Sequence, residues 1–574
     1  MKPNYTPSSL EQGSNSDGEK KAKGLGFWLI VVSLCMSLFL SALEMTSVSN
    51  ALPIIVQDLH GEDFVWVGSA YALASTALLP ASGGLAEAFG RRATMLMALG
   101  LFALGSALCG AAQSMNMLIG ARAVQGMGGG GILSLTSIIL SDLVPLKDRG
   151  LYNGLIGLTW GFASAIGPLI GGALAQNGKW RWLFYLNLPI CGVAAAFVLA
   201  FLKLRTPAGT LREKILRIDW VGIVIVTAST VSCVIALTWA GIRYPWSSPK
   251  VLAPLILGVV GLGVFLFYEA YLAQNPIVPA KLLANRTSVS GYLQTFLTPI
   301  VSLTAIYYSA IYGQACKGHS PIHTAVDFLG ISVALGPAVV ASGVSIGITK
   351  VYRPQIWIGW IILAVASGVM STLNVDSRIA EIAGLPILLG VGLGMLMSAT
   401  YFPVLAPLPV SQNAHALAFF AFCRSFAGVW GITIGGTILQ NQLSQKLPAQ
   451  FLAQFPGGAE IAFSVIPTIA TLPEPLKREV QDIFASGISR IWYVMAGVSA
   501  AGFVASLFMK GLPLHTEVDD KWGMSEEKPE KALETVTLND TLMSRPLSLQ
   551  VTFVHDPFTP VDGVSSRVSD AGRP

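Results

Sequence analysis

Apolar residues along this chain come in blocks of about 20, separated by short polar stretches, and do not alternate as in a half-buried strand. A bilayer core needs about 20 apolar residues in a helix, so each block predicts a membrane span. Fourteen helices are expected, over residues 27–48, 64–84, 94–112, 115–140, 151–175, 183–202, 219–240, 251–271, 289–315, 324–349, 355–373, 383–402, 414–440 and 489–510. The expected fold is an all-α polytopic membrane protein. Its parts are a disordered polar tail (1–26), a six-helix half (27–202), a linker with two inserted helices (203–271), a second six-helix half (272–510) and a disordered polar tail (511–574). A long outer loop, 441–488, interrupts the second half and is polar enough to hold an amphipathic surface helix.

Composition supports the class. Of 574 residues, 53% are hydrophobic and 12% charged, against about 25% charged in soluble chains. The net charge of +5 needs no nucleic-acid partner, because the basic residues sit in short loops between the apolar blocks. With the N-terminus in the cytosol, the short inner loops carry thirteen Lys and Arg and the outer loops six. That is the positive-inside bias, and an even helix count puts both termini in the cytosol. Lys20, Lys21 and Lys23 precede a first block that is too long for a signal peptide and lacks a small-residue cleavage site. Of six cysteines, Cys35, Cys109, Cys191, Cys233 and Cys423 fall inside blocks and Cys316 at a block end, with no CxxC pair. Neither a disulfide framework nor zinc is expected. His319 and His323 share an outer turn, too few ligands for a metal site.

Charges inside the blocks carry the chemistry. Glu44 lies in the first block, Arg122 in the fourth and Arg424 in the thirteenth. An ionised side chain at the bilayer centre costs roughly 2.5–3.5 kcal/mol on insertion scales, so such residues mark substrate or proton paths. Helix one is expected to run outward, ending near Glu44, and helix four inward from Arg122. Both charges then lie in the outer half, where pairing is allowed. Arg424 either lines a cavity, with Gln125 a second candidate, or reaches for the interface. Asp219 and Glu269 sit near span ends and read as interfacial. Gly126-Met127-Gly128-Gly129-Gly130-Gly131 spells a dinucleotide fingerprint, but no strand precedes it and it sits mid-span. It reads as a close-packing surface for neighbouring helices. No P-loop occurs and no catalytic constellation is present, so neither ATP drive nor an enzyme is expected.

Two cytosolic turns repeat one pattern. Gly83 to Arg92, with Glu87, Gly90, Arg91 and Arg92, follows helix two; Gly343 to Arg353, with Gly347, Lys350 and Arg353, follows helix ten. Six-helix halves flanking two inserted helices put these turns in register, as in transporters built from parallel repeats.

With these motifs the chain resembles the major facilitator superfamily, specifically its fourteen-helix drug:proton antiporter branch in a fungal form. The resemblance covers about residues 27–510. Gly83, Glu87, Gly90, Arg91 and Arg92 match the family's cytosolic gate loop, with Glu87 and Ala88 where Asp and a basic residue are usual. Leu43-Glu44-Met45-Thr46 to Pro53 resembles the first-helix motif, with Glu in place of Asp. Arg122-Ala123-Val124-Gln125-Gly126 resembles the fourth-helix motif. Gly167-Pro168-Leu169-Ile170-Gly171-Gly172, with Gly154 upstream, resembles the helix-five antiporter motif. Trp180 to Pro189 also matches and reads as a structural aromatic belt.

The resemblance implies a proton-coupled, multi-pass efflux pump of the plasma membrane, working by alternating access without a cofactor. Glu44 and Arg122 would couple the proton. Its partners would be a small amphipathic organic substrate (a drug, toxin or secondary metabolite), protons and the bilayer, and it would act as a monomer. A siderophore or vacuolar basic amino-acid transporter and a non-transporting sensor remain alternative readings.

Overall fold

The computed structural model describes residues 24–59, 65–204, 209–241, 244–448, 451, 466–469 and 471–514, all within one compact unit. The expected disordered tails fall almost wholly outside these residues. The long helices are α1 Leu25–Leu59, α2 Val65–Phe89, α3 Arg91–Gly110, α4 Met115–Leu143, α5 Arg149–Gln176, α6 Asn187–Phe201, α7 Trp220–Trp239, α8 Pro249–Tyr271, α9 Arg286–Ile311, α10 Leu329–Thr349, α11 Arg353–Met370, α12 Ile379–Ala399, α13 Asn413–Lys446 and α14 Leu476–Leu507. Twelve helical segments among the described residues are long and apolar enough to cross a membrane. The other two long helices, α2 and α5, have 25 and 28 residues and lie in the same bundle. They are rich in Gly, Ala and Ser, and the packing gives the reason: α2 lies on α13 and α5 on α10, so these helices form the seam between the halves.

Within the first half, α1 packs on α5 and α6, and α4 on α2 and α3. Within the second, α12 packs on α10 and α11, and α14 on α9, α11 and α13. The inserted hairpin α7–α8 leans on α2 and α13. Helix α8 turns Ile256, Leu257, Val260, Val264 and Phe267 outward, as a lipid-facing helix does. Lipid tails are as apolar as leucine, so close backbone approach and polar contacts hold such helices together.

Three expectations are corrected. Helix α1 does not end near Val48 but continues to Leu59, because Ala51 and Ile55 bury against Val67, Leu118 and Phe184. Glu44 therefore lies mid-helix. The loop expected over 441–488 is shorter: α13 runs to Lys446 and α14 starts at Leu476. The expected amphipathic stretch is the first part of α14, with Val480, Phe484 and Ile488 buried. Glu269 lies near the end of α8, as expected, but is buried within the protein and not turned to water. It accepts the Val278 N–H at 3.1 Å, while Asp219 caps α7 through Gly222 at 2.9 Å.

The repeated turns share a residue of positive φ but not the rest of their geometry, since ψ is 154° at Gly90 and 17° at Lys350. Gly90, between α2 and α3, has φ 87°, and Lys350, between α10 and α11, has φ 57°. Lys350 is in the left-handed helical region, whereas Gly90 is in an extended positive-φ conformation that glycine adopts freely. The two turns share one end of the bundle with Lys147 and Arg149, here termed the basic face.

Candidate functional site

The site grows out of the glycine run on α4. A Cβ on Gly126 would stand 2.3 Å from the Tyr71 carbonyl oxygen of α2, and one on Gly128 2.4 Å from the Phe102 nitrogen of α3. Only hydrogen fits, so α2 and α3 close on α4 from both sides. That is the packing role expected of this run. One turn earlier, the closure seals Arg122 at 2% exposure.

Arg122 makes three side-chain hydrogen bonds. Its Nη1 donates to Glu44 Oε1 at 2.5 Å and to Gln125 Oε1 at 2.6 Å, and its Nε donates to the Val67 carbonyl at 2.9 Å. The guanidinium lies 4.6 Å from the centre of the Tyr71 ring. Glu44, 1% exposed, also accepts from Asn187 Nδ2 at 2.5 Å. The structure thus brings the two sequence-selected charges together and adds Asn187. Gln125 does not share a cavity with Arg424: it sits one turn beyond Arg122 and donates to Ser106 Oγ of α3 at 2.8 Å.

Helix five holds this pair from behind. A Cβ on Gly167 would lie 2.1 Å from Thr46 Oγ1, and one on Gly171 2.2 Å from the Ser47 carbonyl. The antiporter-motif glycines therefore bring α5 onto the turn of α1 that follows Glu44. Pro168 and Gly172 lie on α5, but their side-chain surroundings fall outside the described residues. Gly154, lower on α5, faces Val340 of α10 across the seam.

Arg91 is not a surface charge. It is buried, and its Nε donates to Asp142 Oδ2 at 2.8 Å, while Nη1 donates to the Ala86 carbonyl at 3.1 Å. Arg92 stays near the surface and donates to the Leu199 carbonyl at 2.5 Å. Glu87 faces His415 of α13 at 3.4 Å, across the seam. A Cβ on Gly83 would stand 2.9 Å from the Ala414 carbonyl oxygen, and one on Gly150 2.2 Å from the Gly343 carbonyl oxygen. Lys350 reaches Asp148 at 3.8 Å, and Arg149 Nη1 donates to the Tyr401 hydroxyl at 3.5 Å. Further along, the hydroxyls of Thr76 and Ser425 are 2.6 Å apart. Among the described residues, the hydrogen bonds and ion pairs joining the halves thus lie at mid-helix or towards the basic face, which is shut.

Arg424 sits differently. It lines a small cavity of the second half with Thr295, Thr298, Pro299, Met397, Thr400 and Phe420. Among the described residues its guanidinium has no hydrogen-bond or ion-pair partner. On the opposite face of the bundle, His319 Nδ1 and Asp327 Oδ2 are 2.7 Å apart, and His323 stacks on His319 with ring centres 4.1 Å apart. The carboxylate of Asp327 is what this histidine pair gathers around. All six cysteines are free.

Sequence reasoning missed Asn187, Asp142 and the seam contact of His415. Asn187 is uncharged and sits inside an aromatic run that reads as structural. Its signal was a lone amide at the head of an apolar block. Asp142 and Arg91 both lie near block ends, where charge is ordinary topology.

Paired helical halves, with a buried ion pair in one and, in the other, an arginine over a cavity with no partner among the described residues, define the class as a multi-pass helical membrane protein. The family model described as Major Facilitator Superfamily matches residues 34–432, and the chain belongs to that superfamily. It is 38% identical over 526 residues to the efflux pump FUS6 of Gibberella moniliformis (strain M3125 / FGSC 7600), covering 90% of this chain and 93% of that one. It is 37% identical over 533 residues to the MFS-type efflux pump LUC4 of a Fusarium species, covering 91% and 94%. Among solved structures, the human organic anion transporter MFSD10 (TETRAN) superposes with a TM-score of 0.56 at 12% identity, over 84% of this chain and 100% of that one. The last likeness concerns the fold.

Proposed function

We propose that this chain is a proton-coupled exporter of small amphipathic organic molecules across the plasma membrane, of the fourteen-helix drug:proton antiporter type. In this reading α2 and α5 are the two remaining crossings, and the basic face and both termini are cytosolic. The carrying observation is the Glu44–Arg122 pair, sealed inside the first half with a second hydrogen bond from Asn187. Resemblance to relatives named efflux pumps supports the export direction.

Glu44 carries the proton. As a carboxylate it accepts from Arg122 and Asn187. On protonation it gives up charge, and Arg122 keeps Gln125, the Val67 carbonyl and the Tyr71 ring as partners. Asn187 Oδ1 has no hydrogen-bond partner among the described residues. Rotation of that amide offers this oxygen to the Glu44 O–H, so one side chain serves both protonation states. The α1–α4–α6 cluster loosens when the pair is neutralised, and the halves rock about the mid-helix Thr76–Ser425 contact. With the basic face shut, the state seen here is the one that opens outward, where substrate leaves and the proton enters.

The test is export from proteoliposomes under an imposed pH gradient, using a panel of amphipathic toxins and terpenoid metabolites, with Glu44→Gln as control. Movement that follows the gradient and is lost in the variant supports the reading. Export that survives Glu44→Gln removes Glu44 from the mechanism.

A further inference from the structure

Arg424 occupies a place that a transporter does not fill by accident. It lies eleven residues into α13, about 16 Å along the helix and so near mid-membrane. A guanidinium stays protonated in proteins, and an intramembrane charge without a partner is disfavoured. Ordinary structural arginines in this chain solve the problem. Arg91, Arg122 and Arg149 each donate several hydrogen bonds, and two of the three face a carboxylate. Arg424 has neither, among the described residues, and faces a cavity.

The cavity wall says what completes it. Thr295, Thr298 and Thr400 each donate their hydroxyl proton to their own helix, to the carbonyls of Gly291, Gln294 and Leu396 at 2.8 Å. Their oxygens can then only accept. Arg424 is the strong donor in the lining, and Pro299, Met397 and Phe420 supply apolar wall. The next residue, Ser425, bonds Thr76 across the seam, so the cavity adjoins the surface along which the halves part. In this shut state it has room for about one water molecule, and parting of the halves widens it.

We propose that Arg424 anchors an anionic head group of the substrate, so that the molecules carried are amphipathic organic acids. Their carboxylate takes the guanidinium, their hydroxyl or N–H groups donate to the threonine oxygens, and their apolar body lies along the seam. This assignment rests on the export reading and narrows it to one substrate class.

Three probes on one carbon skeleton separate charge from shape: dehydroabietic acid, its methyl ester and dehydroabietylamine. Binding to the purified full-length chain is read as a ligand-induced rise in melting temperature, for wild type, Arg424→Gln and Arg424→Lys. The acid is expected to bind wild type and Arg424→Lys, and to bind Arg424→Gln about tenfold more weakly, as expected when a charge-assisted pair is lost. Ester and amine are expected to respond alike to all three proteins. Equal binding of the acid to wild type and Arg424→Gln overturns the assignment. So does equal weakening of acid and ester, which marks a structural role, and so does failure of the acid to bind wild type. Gradient-driven export of the acid is then measured with the same proteins. Acid that binds through Arg424 but does not move with the gradient supports the anion site and sinks the export reading.

Discussion

Two arginines inside the two halves, Arg122 buried and Arg424 partly buried, show opposite ways of keeping a charge in a membrane. Arg122 is well partnered: a carboxylate, an amide, a backbone carbonyl and an aromatic face meet it inside a glycine-lined closure. Arg424 is left open to a cavity. The first arrangement is self-sufficient and changes only if the charge on Glu44 changes. The second is incomplete until something else arrives. On the proposed reading one half holds a proton and the other receives a ligand, and the seam between them is where the two events meet.

Removing each arginine is the strongest way to break that contrast. Arg122→Leu strands a buried carboxylate, which costs about 3–5 kcal/mol when one partner of a buried pair is lost. The expected result is a large fall in melting temperature in detergent or failure to accumulate in the membrane. Arg424→Met removes a charge that has no partner among the described residues, so it should melt no lower than wild type. If Arg424→Met melts as low as Arg122→Leu, the two sites are the same kind of structural charge and the contrast fails.

Next in size is the glycine closure. Gly126→Val places atoms where a Cβ is already 2.3 Å from the Tyr71 carbonyl, and overpacking of this kind costs roughly 1–3 kcal/mol. Gly161 on α5 has nothing within 4 Å of a Cβ, so Gly161→Ala should leave melting and export unchanged. Similar losses at both positions would show that the α4 run is not a special surface.

Asn187→Leu probes the proton half more gently. It removes one hydrogen bond to a charged acceptor, worth about 1.5–3 kcal/mol, while leaving the Glu44–Arg122 contact in place. Export should slow and melting should fall by less than in Arg122→Leu. An unchanged transport rate would reduce Asn187 to packing.

The smallest effect is expected at the surface. Arg478 bonds the Asp376 side chain and holds its carboxyl below the usual carboxylate range. A lowered carboxyl contributes stability above its unfolded value and loses it as pH falls through the folded one. Any contribution is therefore fully present at pH 7 and disappears only below about pH 4. Both side chains are exposed, so solvent and salt screen the pair. Arg478→Gln should shift the melting temperature by no more than about 1–2 °C at pH 7, as an exposed ion pair allows. A shift as large as that of Asn187→Leu would show that this face carries more of the fold than burial suggests.

The unequal sizes of these effects follow what could be read along the chain. Glu44, Arg122 and Arg424 were legible because a formal charge inside an apolar block is conspicuous and disfavoured, so it demands a reason. Their different fates were not, since partners such as Val67 and Asn187 come from other helices. Asn187 was hidden because a neutral amide raises no such alarm. The Arg91–Asp142 pair was hidden because charges near block ends satisfy topology without pairing. The extra length of α1 escaped because its last turns bury against α2, α4 and the segment before α6 through tertiary contacts. The turn at Gly90 was legible because glycine is the residue that takes a positive φ without strain. Its counterpart fell on Lys350, which no propensity argument selects.

Substrate-induced proton release tests the division of labour most directly. Purified wild type, Glu44→Gln and Arg424→Gln are mixed with dehydroabietic acid in weakly buffered detergent solution at neutral pH, and released protons are counted with an indicator dye. The account predicts release on binding to wild type, binding without release for Glu44→Gln, and, for Arg424→Gln, binding and release that both need about tenfold more acid. Undiminished release from Glu44→Gln would contradict it, because the proton would then be held somewhere other than the sealed pair of the first half.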